Sequence, residues 1–257
     1  MVATSLTPAR PAIRGPGLRR ALIAGCRRVI GHRELLNRIN VFPVADGDTG
    51  SNLAFTLGSV LAGALSRRTA SAGELLRRVS EDAIDGARGN SGAILAQFFC
   101  GVAEAVGTDA VLEPAVLSRA TQAGAISARQ ALAEPREGTI ISVISAFAAA
   151  LEAGPGITDT RAWFERALAR ARQALADTPS QLPVLQKAGV VDAGAQAFVD
   201  LLEGIGDYLA TGKLDSAALA DEAAIDLEAA RGHGELADND PAHRWCSECL
   251  LIGEGLD

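Results

Sequence analysis

The feature that most restricts this chain is a helical period that runs along most of its length and is cut by helix-ending residues. Apolar side chains recur at three- and four-residue spacing over 18–37, 51–65, 72–85, 91–106, 114–132, 139–151, 161–176 and 192–211, which predicts eight helices. Gly, Pro, Asp or Ser stands at each junction, where such residues cap one helix or stop the last. No run alternates convincingly with the period of two that a half-buried strand needs. Aromatic residues make up 4% of the chain against 48% for all apolar residues. The core must therefore be filled by Ala, Leu, Val and Ile, a composition that favours closely packed helices. Short connections between helices make an antiparallel bundle or barrel the expected all-α architecture.

The length, 257 residues, suits one large domain or a domain and part of another. Residues 1–17 read as a loose, Pro-containing tail and 18–213 as the helical domain. Residues 214–242 read as a linker: 215–228 is rich in Ala and acid, and 231–242 is polar with Gly, Asp, Asn and Pro. The chain turns apolar again over 243–257, like the start of a further domain. A net charge of -7 and a pI near 5.1 argue against a general nucleic-acid binder, which needs a basic face, but allow a local basic pocket for phosphates. Cys26, Cys100, Cys246 and Cys249 are too few and scattered for a disulfide framework, so a reducing cytoplasm is the expected compartment. No stretch reaches the roughly 18 apolar residues of a membrane span, so no stable membrane insertion is expected. Leu22-Ile23-Ala24-Gly25-Cys26 follows Arg19 and Arg20 and imitates a lipoprotein cleavage site. Its apolar run of about five residues falls short of the roughly 7–15 of an export signal.

Chemistry concentrates at the helix starts. In Asn40-Val41-Phe42-Pro43-Val44-Ala45-Asp46-Gly47-Asp48-Thr49-Gly50-Ser51-Asn52, Pro43 stops the first helix. One glycine separates Asp46 from Asp48, so a tight loop can aim both carboxylates at one point. Two such groups repel unless a cation or a shared proton relieves them. Mg²⁺ suits them, since it takes hard oxygen ligands and keeps places for water and phosphate. Thr49 or Gly50 would cap the next helix, whose N-terminal amides favour an anion beside the metal. The plainer alternative is an Asx turn capping a helix; a calcium loop fits poorly because its closing Glu is missing.

Gly86-Ala87-Arg88-Gly89-Asn90-Ser91-Gly92 is a second glycine-rich helix start, where backbone amides can approach phosphate and Asn90 or Ser91 can donate. It has neither P-loop nor dinucleotide-fingerprint spacing and also reads as a tight turn. Asp192 and Gly194 open the last helix after Lys187, and Glu137-Gly138-Thr139 opens another; each reads equally as a helix cap. Brought to one end of a bundle, four such starts would make a rim suited to a triphosphate and its metal.

These motifs, in this order over residues 40–194, resemble the ATP-binding domain of bacterial fatty acid kinase, a relative of the L-type subunit of dihydroxyacetone kinase. The resemblance implies an eight-helix antiparallel barrel with ATP at one rim and Mg²⁺ held by Asp46 and Asp48. Asn40 lies near the place where L-type relatives carry a further acidic ligand. Thr49, Gly50, Ser51, Asn52, Asn90, Ser91, Gly92, Thr139, Asp192 and Gly194 are implied nucleotide contacts, with Arg88 and Lys187 as phosphate neighbours and Arg88 in a catalytic role. Ala45 departs from the usual Pro, and Ser145 from a commonly basic residue.

In that family a separate DegV-family protein, or a fused domain, presents the fatty acid, and the product is an acyl phosphate. A carboxylate acceptor is already deprotonated at neutral pH and needs no general base, in keeping with motifs that hold no His; His32 reads as a surface residue of the first helix. The C-terminal Arg244-Trp245-Cys246-Ser247-Glu248-Cys249-Leu250-Leu251 resembles the start of the family's middle domain, which implies further C-terminal domains and a homodimer through them. It also disfavours a zinc site at Cys246 and Cys249 with His233 and His243. The alternatives are a dihydroxyacetone-type (glycerone) kinase subunit and a non-catalytic nucleotide-sensing adaptor.

Overall fold

The structure, a computed structural model, describes residues 12–152, 157 and 159–214. Its long helices are α1 (Gly15–Gly31), α3 (Thr49–Ala62), α4 (Ala72–Asp85), α5 (Gly89–Val106), α6 (Pro114–Gln130), α7 (Ile140–Ala150), α8 (Thr160–Ala176) and α11 (Ala193–Thr211). Between them lie the short α2 (Arg33–Arg38), α9 (Thr178–Gln181) and α10 (Pro183–Ala188). Each long helix packs on the next in the order α1, α3, α4, α5, α6, α7, α8, α11, and α11 returns to α1. The ring is closed, as the expected eight-helix barrel requires.

Local chemistry explains many boundaries. Ser71 accepts from the Glu74 amide at the start of α4 (3.3 Å), and Asp159 from the Ala162 amide at the start of α8 (3.0 Å); both are N-caps. Proline in the first turn of α1, α6, α9 and α10 sits where its missing N–H costs nothing. Closure of the ring depends on small residues. A Cβ on Gly25 of α1 would lie 2.6 Å from the Leu201 carbonyl, and one on Gly204 of α11 2.5 Å from the Ala24 carbonyl. The two backbones therefore touch, as only glycine permits.

Inside the ring, aromatic residues link four helices. Phe198 meets Phe98 edge-on at 5.4 Å and Phe147 at 5.9 Å, and Phe147 meets Phe164 at 5.7 Å. Phe198 is almost fully buried; truncating such a side chain costs about 3–5 kcal/mol. The same rings, with Leu22, Leu76 and Leu202, line an apolar cavity of about 440 Å³ that the helical pattern did not announce.

The structure departs from the sequence expectations in several places. The first helix is two, because the chain bends at His32 (φ -93°, ψ 8°). It begins at Gly15, and Ile13–Arg14 (β1) pairs antiparallel with Val111–Leu112 (β2), so order starts before residue 18 and two short strands exist. The α9 and α10 turns were not expected; at four and six residues they are too short for a periodic signal. Cys26 is buried within α1, and burial pushes its thiol up to about 12. Cys26 and Cys100 are free thiols. Among the described residues no helix is long and apolar enough to cross a membrane. The suggested zinc ligands His233, His243, Cys246 and Cys249, and the linker and further-domain segments, lie outside the described residues from 215 onward.

Candidate functional site

The starts of α3, α5, α7 and α11 are joined by contacts between distant segments. Gly89, at φ +60°, is packed so closely on Asn52 of α3 that a Cβ there would lie 2.5 Å from the Asn52 amide nitrogen. The Arg88 amide donates to Thr56 Oγ1 of α3 (3.1 Å). These contacts fasten α5 to α3. A Cβ on Gly194 would come 2.7 Å from Ser91 Oγ, so α11 opens against α5. Asp192 then joins α11 to α7: its Oδ1 accepts from the Ala195 amide (2.8 Å) and the Ile140 amide (2.9 Å). One carboxylate thus caps two helices. Burial raises the Asp192 carboxyl to about 6, against the opposing pull of those two amides. Its own N–H donates to Thr178 Oγ1 (3.2 Å), which gives the unexpected α9 a role in holding the junction.

The acidic pair stands at this rim. Gly47 turns the loop with φ +68° between Asp46 and Asp48, and both carboxylates are exposed. The Asp48 carboxyl is raised by partial burial, lowered by a hydrogen bond from the Asn52 side chain, and raised by the charge of Asp46 beside it. The expected repulsion is present. Asp48, rather than Thr49 or Gly50, is the N-cap of α3; its carbonyl takes the Asn52 amide (2.9 Å), and its carboxylate makes no cap bond. That side chain stays available to the cavity.

Asn40 braces the loop from behind. Its Nδ2 donates to Asp46 Oδ1 (2.7 Å) and the Val44 carbonyl (2.9 Å), and its Oδ1 accepts from Thr49 Oγ1. One layer further out, Asn37 donates to Ser51 Oγ (3.1 Å) and accepts from the Ser51 amide (3.0 Å). Asn37 carried no sequence signal, since a lone Asn at a helix end has many roles.

A cavity of about 170 Å³ lies between α3 and α5, lined among others by Asn40, Asp46, Asp48, Asn52, Asn90 and Ser91. Thr49 and Gly89 also border it, while Gly50, Ser51 and Gly92 lie in the flanking first turns. Gly50 packs against the Arg33 carbonyl and Gly92 against Thr56. Arg88 is the exposed residue preceding α5. Thr139 is buried and donates to the Arg136 carbonyl (2.7 Å). Lys187, on the surface of α10, is not among the lining residues. Among the described residues no cluster of three or more His, Cys, Asp and Glu is placed to hold a metal. Two carboxylates fit a cation completed by water and phosphate oxygens, and do not fit a cage made by protein alone.

His32 is not a free surface residue. Its Nδ1 lies 3.0 Å from Oδ2 of Asp200, a carboxylate buried in α11. Burial raises the Asp200 carboxyl, and hydrogen bonding and charge from His32 pull it back. The partners are far apart in sequence, so no spacing could have revealed them.

The DAK2 domain family matches residues 43–207 of this chain, a span that holds the acidic pair and all four helix starts. The chain belongs to the DAK2 domain family. Two uncharacterized proteins of Staphylococcus aureus, from strains USA300 and NCTC 8325, are each 31% identical to it over 232 residues, which is 90% of this chain and 42% of the relative. The chain therefore spans about two fifths of the length of the curated relatives it matches. Among solved structures, the dihydroxyacetone kinase from C. freundii in complex with AMP-PNP and Mg²⁺ superposes with TM-score 0.58 at 18% identity, covering 80% of this chain and 37% of that one. Its native form gives 0.56 at 19% identity, covering 80% and 38%. The DAK2 fold is thus shared with the L-type kinase barrel.

Proposed function

We propose that this DAK2 domain binds ATP with Mg²⁺ at the rim and transfers the γ-phosphoryl group to a fatty acid presented by a DegV-family binding protein or a fused domain, giving an acyl phosphate. The observation that carries the reading is the meeting of four helix starts beside an acidic pair whose charges repel. Helix N-termini favour phosphate, and Mg²⁺ held by Asp46 and Asp48 would supply charge neutralisation of the phosphates.

The chain's own residues position the reaction. Asn40 orients Asp46 through its Nδ2, and its Oδ1 accepts from Thr49. Asn52 holds Asp48, and Asn90 and Ser91 offer donors from the first turn of α5. Asp192 fixes the separation of α7 and α11 by bonding an amide of each. Arg88 directly precedes Gly89, which lines the cavity, and is the cation we assign to an entering phosphate. The lining polar groups are carboxylates, amides and hydroxyls, which orient and neutralise. A carboxylate acceptor, already deprotonated, suits such a site.

The test is calorimetric titration of ATP with and without Mg²⁺, followed by an assay for acyl phosphate with a DegV-family protein carrying a fatty acid. Mg²⁺-dependent ATP binding with acyl phosphate formation is the expected result. Mg²⁺-dependent binding without transfer to any presented fatty acid would leave an adaptor, and phosphorylation of dihydroxyacetone instead would assign the glycerone kinase activity.

A further inference from the structure

The end of α1 remote from the acidic pair carries the opposite charge. There the Gly15 amide donates to the Ala70 carbonyl (3.1 Å), and a Cβ on Gly15 would lie 2.5 Å from the Thr69 carbonyl oxygen. The first turn of α1 and the connection between α3 and α4 are thus in backbone contact, which fixes their side chains relative to one another. Beside this seam lies a cleft of about 330 Å³ lined by Pro16, Arg19, Arg20, Arg68 and Thr69. Among the described residues that line it, three of five are arginines and none is acidic.

Arg28, further along α1, is neutralised. Arg28 bonds Glu203 (2.5 Å) and Asp207 (3.1 Å) of α11. Arg19 stands at the cleft, and its Nε, like that of Arg28, is shut off from solvent with no hydrogen-bond partner among the described residues. Burial first, and then repulsion from Arg68, Arg20 and Arg27, loosens its proton. Arg20 is steered by a bond from its Nε to the Pro16 carbonyl (3.2 Å) and by the Tyr208 ring 6.0 Å away. In addition, α1 opens with no acidic residue in its first turn and no side-chain cap, so these cations stand near the positive end of the helix dipole. In a chain of net charge -7, like charges held together at such a place form a local conflict of the kind that marks a site.

We propose that this cleft binds an oxyanion of the phosphate class, at a site separate from the acidic pair. A guanidinium fork matches phosphate oxygens in bidentate fashion. The Thr69 hydroxyl accepts from the Ser71 amide (3.3 Å) and keeps its proton to donate. The anion would complete Arg19, offset the repulsion among the three arginines and complement the start of α1. It comes either as free phosphate or as the headgroup of an anionic lipid.

The experiment uses the full chain without Mg²⁺, and the part of the binding that depends on Arg19 and Arg68 reports the cleft. Inorganic phosphate is titrated by calorimetry, and flotation is measured with phosphatidylglycerol and phosphatidylcholine vesicles. The expected result is saturable binding that weakens by at least roughly tenfold in Arg19→Gln/Arg68→Gln, as loss of charge-assisted bonds requires. Arginine-dependent binding of soluble phosphate assigns the site to the free ion. Arginine-dependent flotation with phosphatidylglycerol alone assigns it to a headgroup. Should the double variant fold poorly, Arg68→Gln, in the exposed connection, reads the same effect. Absence of arginine-dependent binding in both arms overturns the proposal. That failure does not bear on ATP at the other rim.

Discussion

At the end of α1 that leads into the 40–48 loop, two carboxylates lie side by side; at the end where α1 begins, three arginines do. The acidic end is surrounded by groups that orient it: Asn40 on Asp46, Asn52 on Asp48, and Asn37 on Ser51 one layer out. The basic end is held mainly by backbone contact between Gly15 and Thr69–Ala70, and Arg19 Nε has no hydrogen-bond partner among the described residues. The difference teaches how each charge excess is kept in place. Hydrogen-bonded side chains set the carboxylates within a loop, where small errors would spoil a metal site. The arginines need only a rigid scaffold, because a guanidinium reaches its anion with its own flexible stem.

Four measurements break or sharpen this contrast. Asp48→Ala should weaken Mg²⁺-dependent ATP binding by about 100-fold or more, roughly 3 kcal/mol, with helix content by circular dichroism retained; unchanged affinity would remove the metal from the acidic end.

Asp192 links the acidic end to stability. Its folded-state carboxyl, at about 6, lies above the roughly 3.9 of an unfolded chain. The folded protein therefore holds this proton more tightly. The contribution is fully present below about pH 4 and is lost as pH rises to about 6, by roughly 2–3 kcal/mol. Unfolding by urea at several pH values should show that slope in the wild type and a flatter one in Asp192→Asn; equal slopes would mean that the shift does not exist.

Asn40→Ala should cost a smaller amount of ATP affinity, about tenfold, because it loosens Asp46 without deleting a carboxylate. A loss as large as that of Asp48→Ala would promote Asn40 to a ligand. Finally, Arg19→Gln should raise stability by about 0.3–1 kcal/mol in low salt and phosphate-free buffer, since it removes a cation near the positive end of α1. A melting temperature that falls instead would mean that Arg19 is held by attraction.

Much of the fold was legible because helices are local. The period of the apolar residues and the junction residues placed the eight long helices, with ends displaced by a few positions where caps such as Asp48 and Asp159 compete with their neighbours. The break at His32 was hidden because a single glycine, Gly31, is a weak signal within a helical period that continues past it. The His32 ring finds Asp200, 168 positions away by subtraction of the two numbers. The strand pair was hidden for a related reason: two residues per strand carry no periodicity. The apolar cavity and the arginine cleft are gaps and gatherings between elements, and no spacing within one element encodes them.

The site divides in the same way. That Asp46 and Asp48 share a point, that glycines open four helices and that Asp192 begins the last one follow from residues next to each other in the chain, where backbone geometry alone sets the distance. That the four openings meet, that one carboxylate caps both α7 and α11, and that Gly194 presses on Ser91 belong to the tertiary structure. Such contacts depend on how a closed ring brings remote segments into register. The ring closes because glycines at the seam of α1 and α11 let two backbones touch, a fit that exists only once both helices are in place.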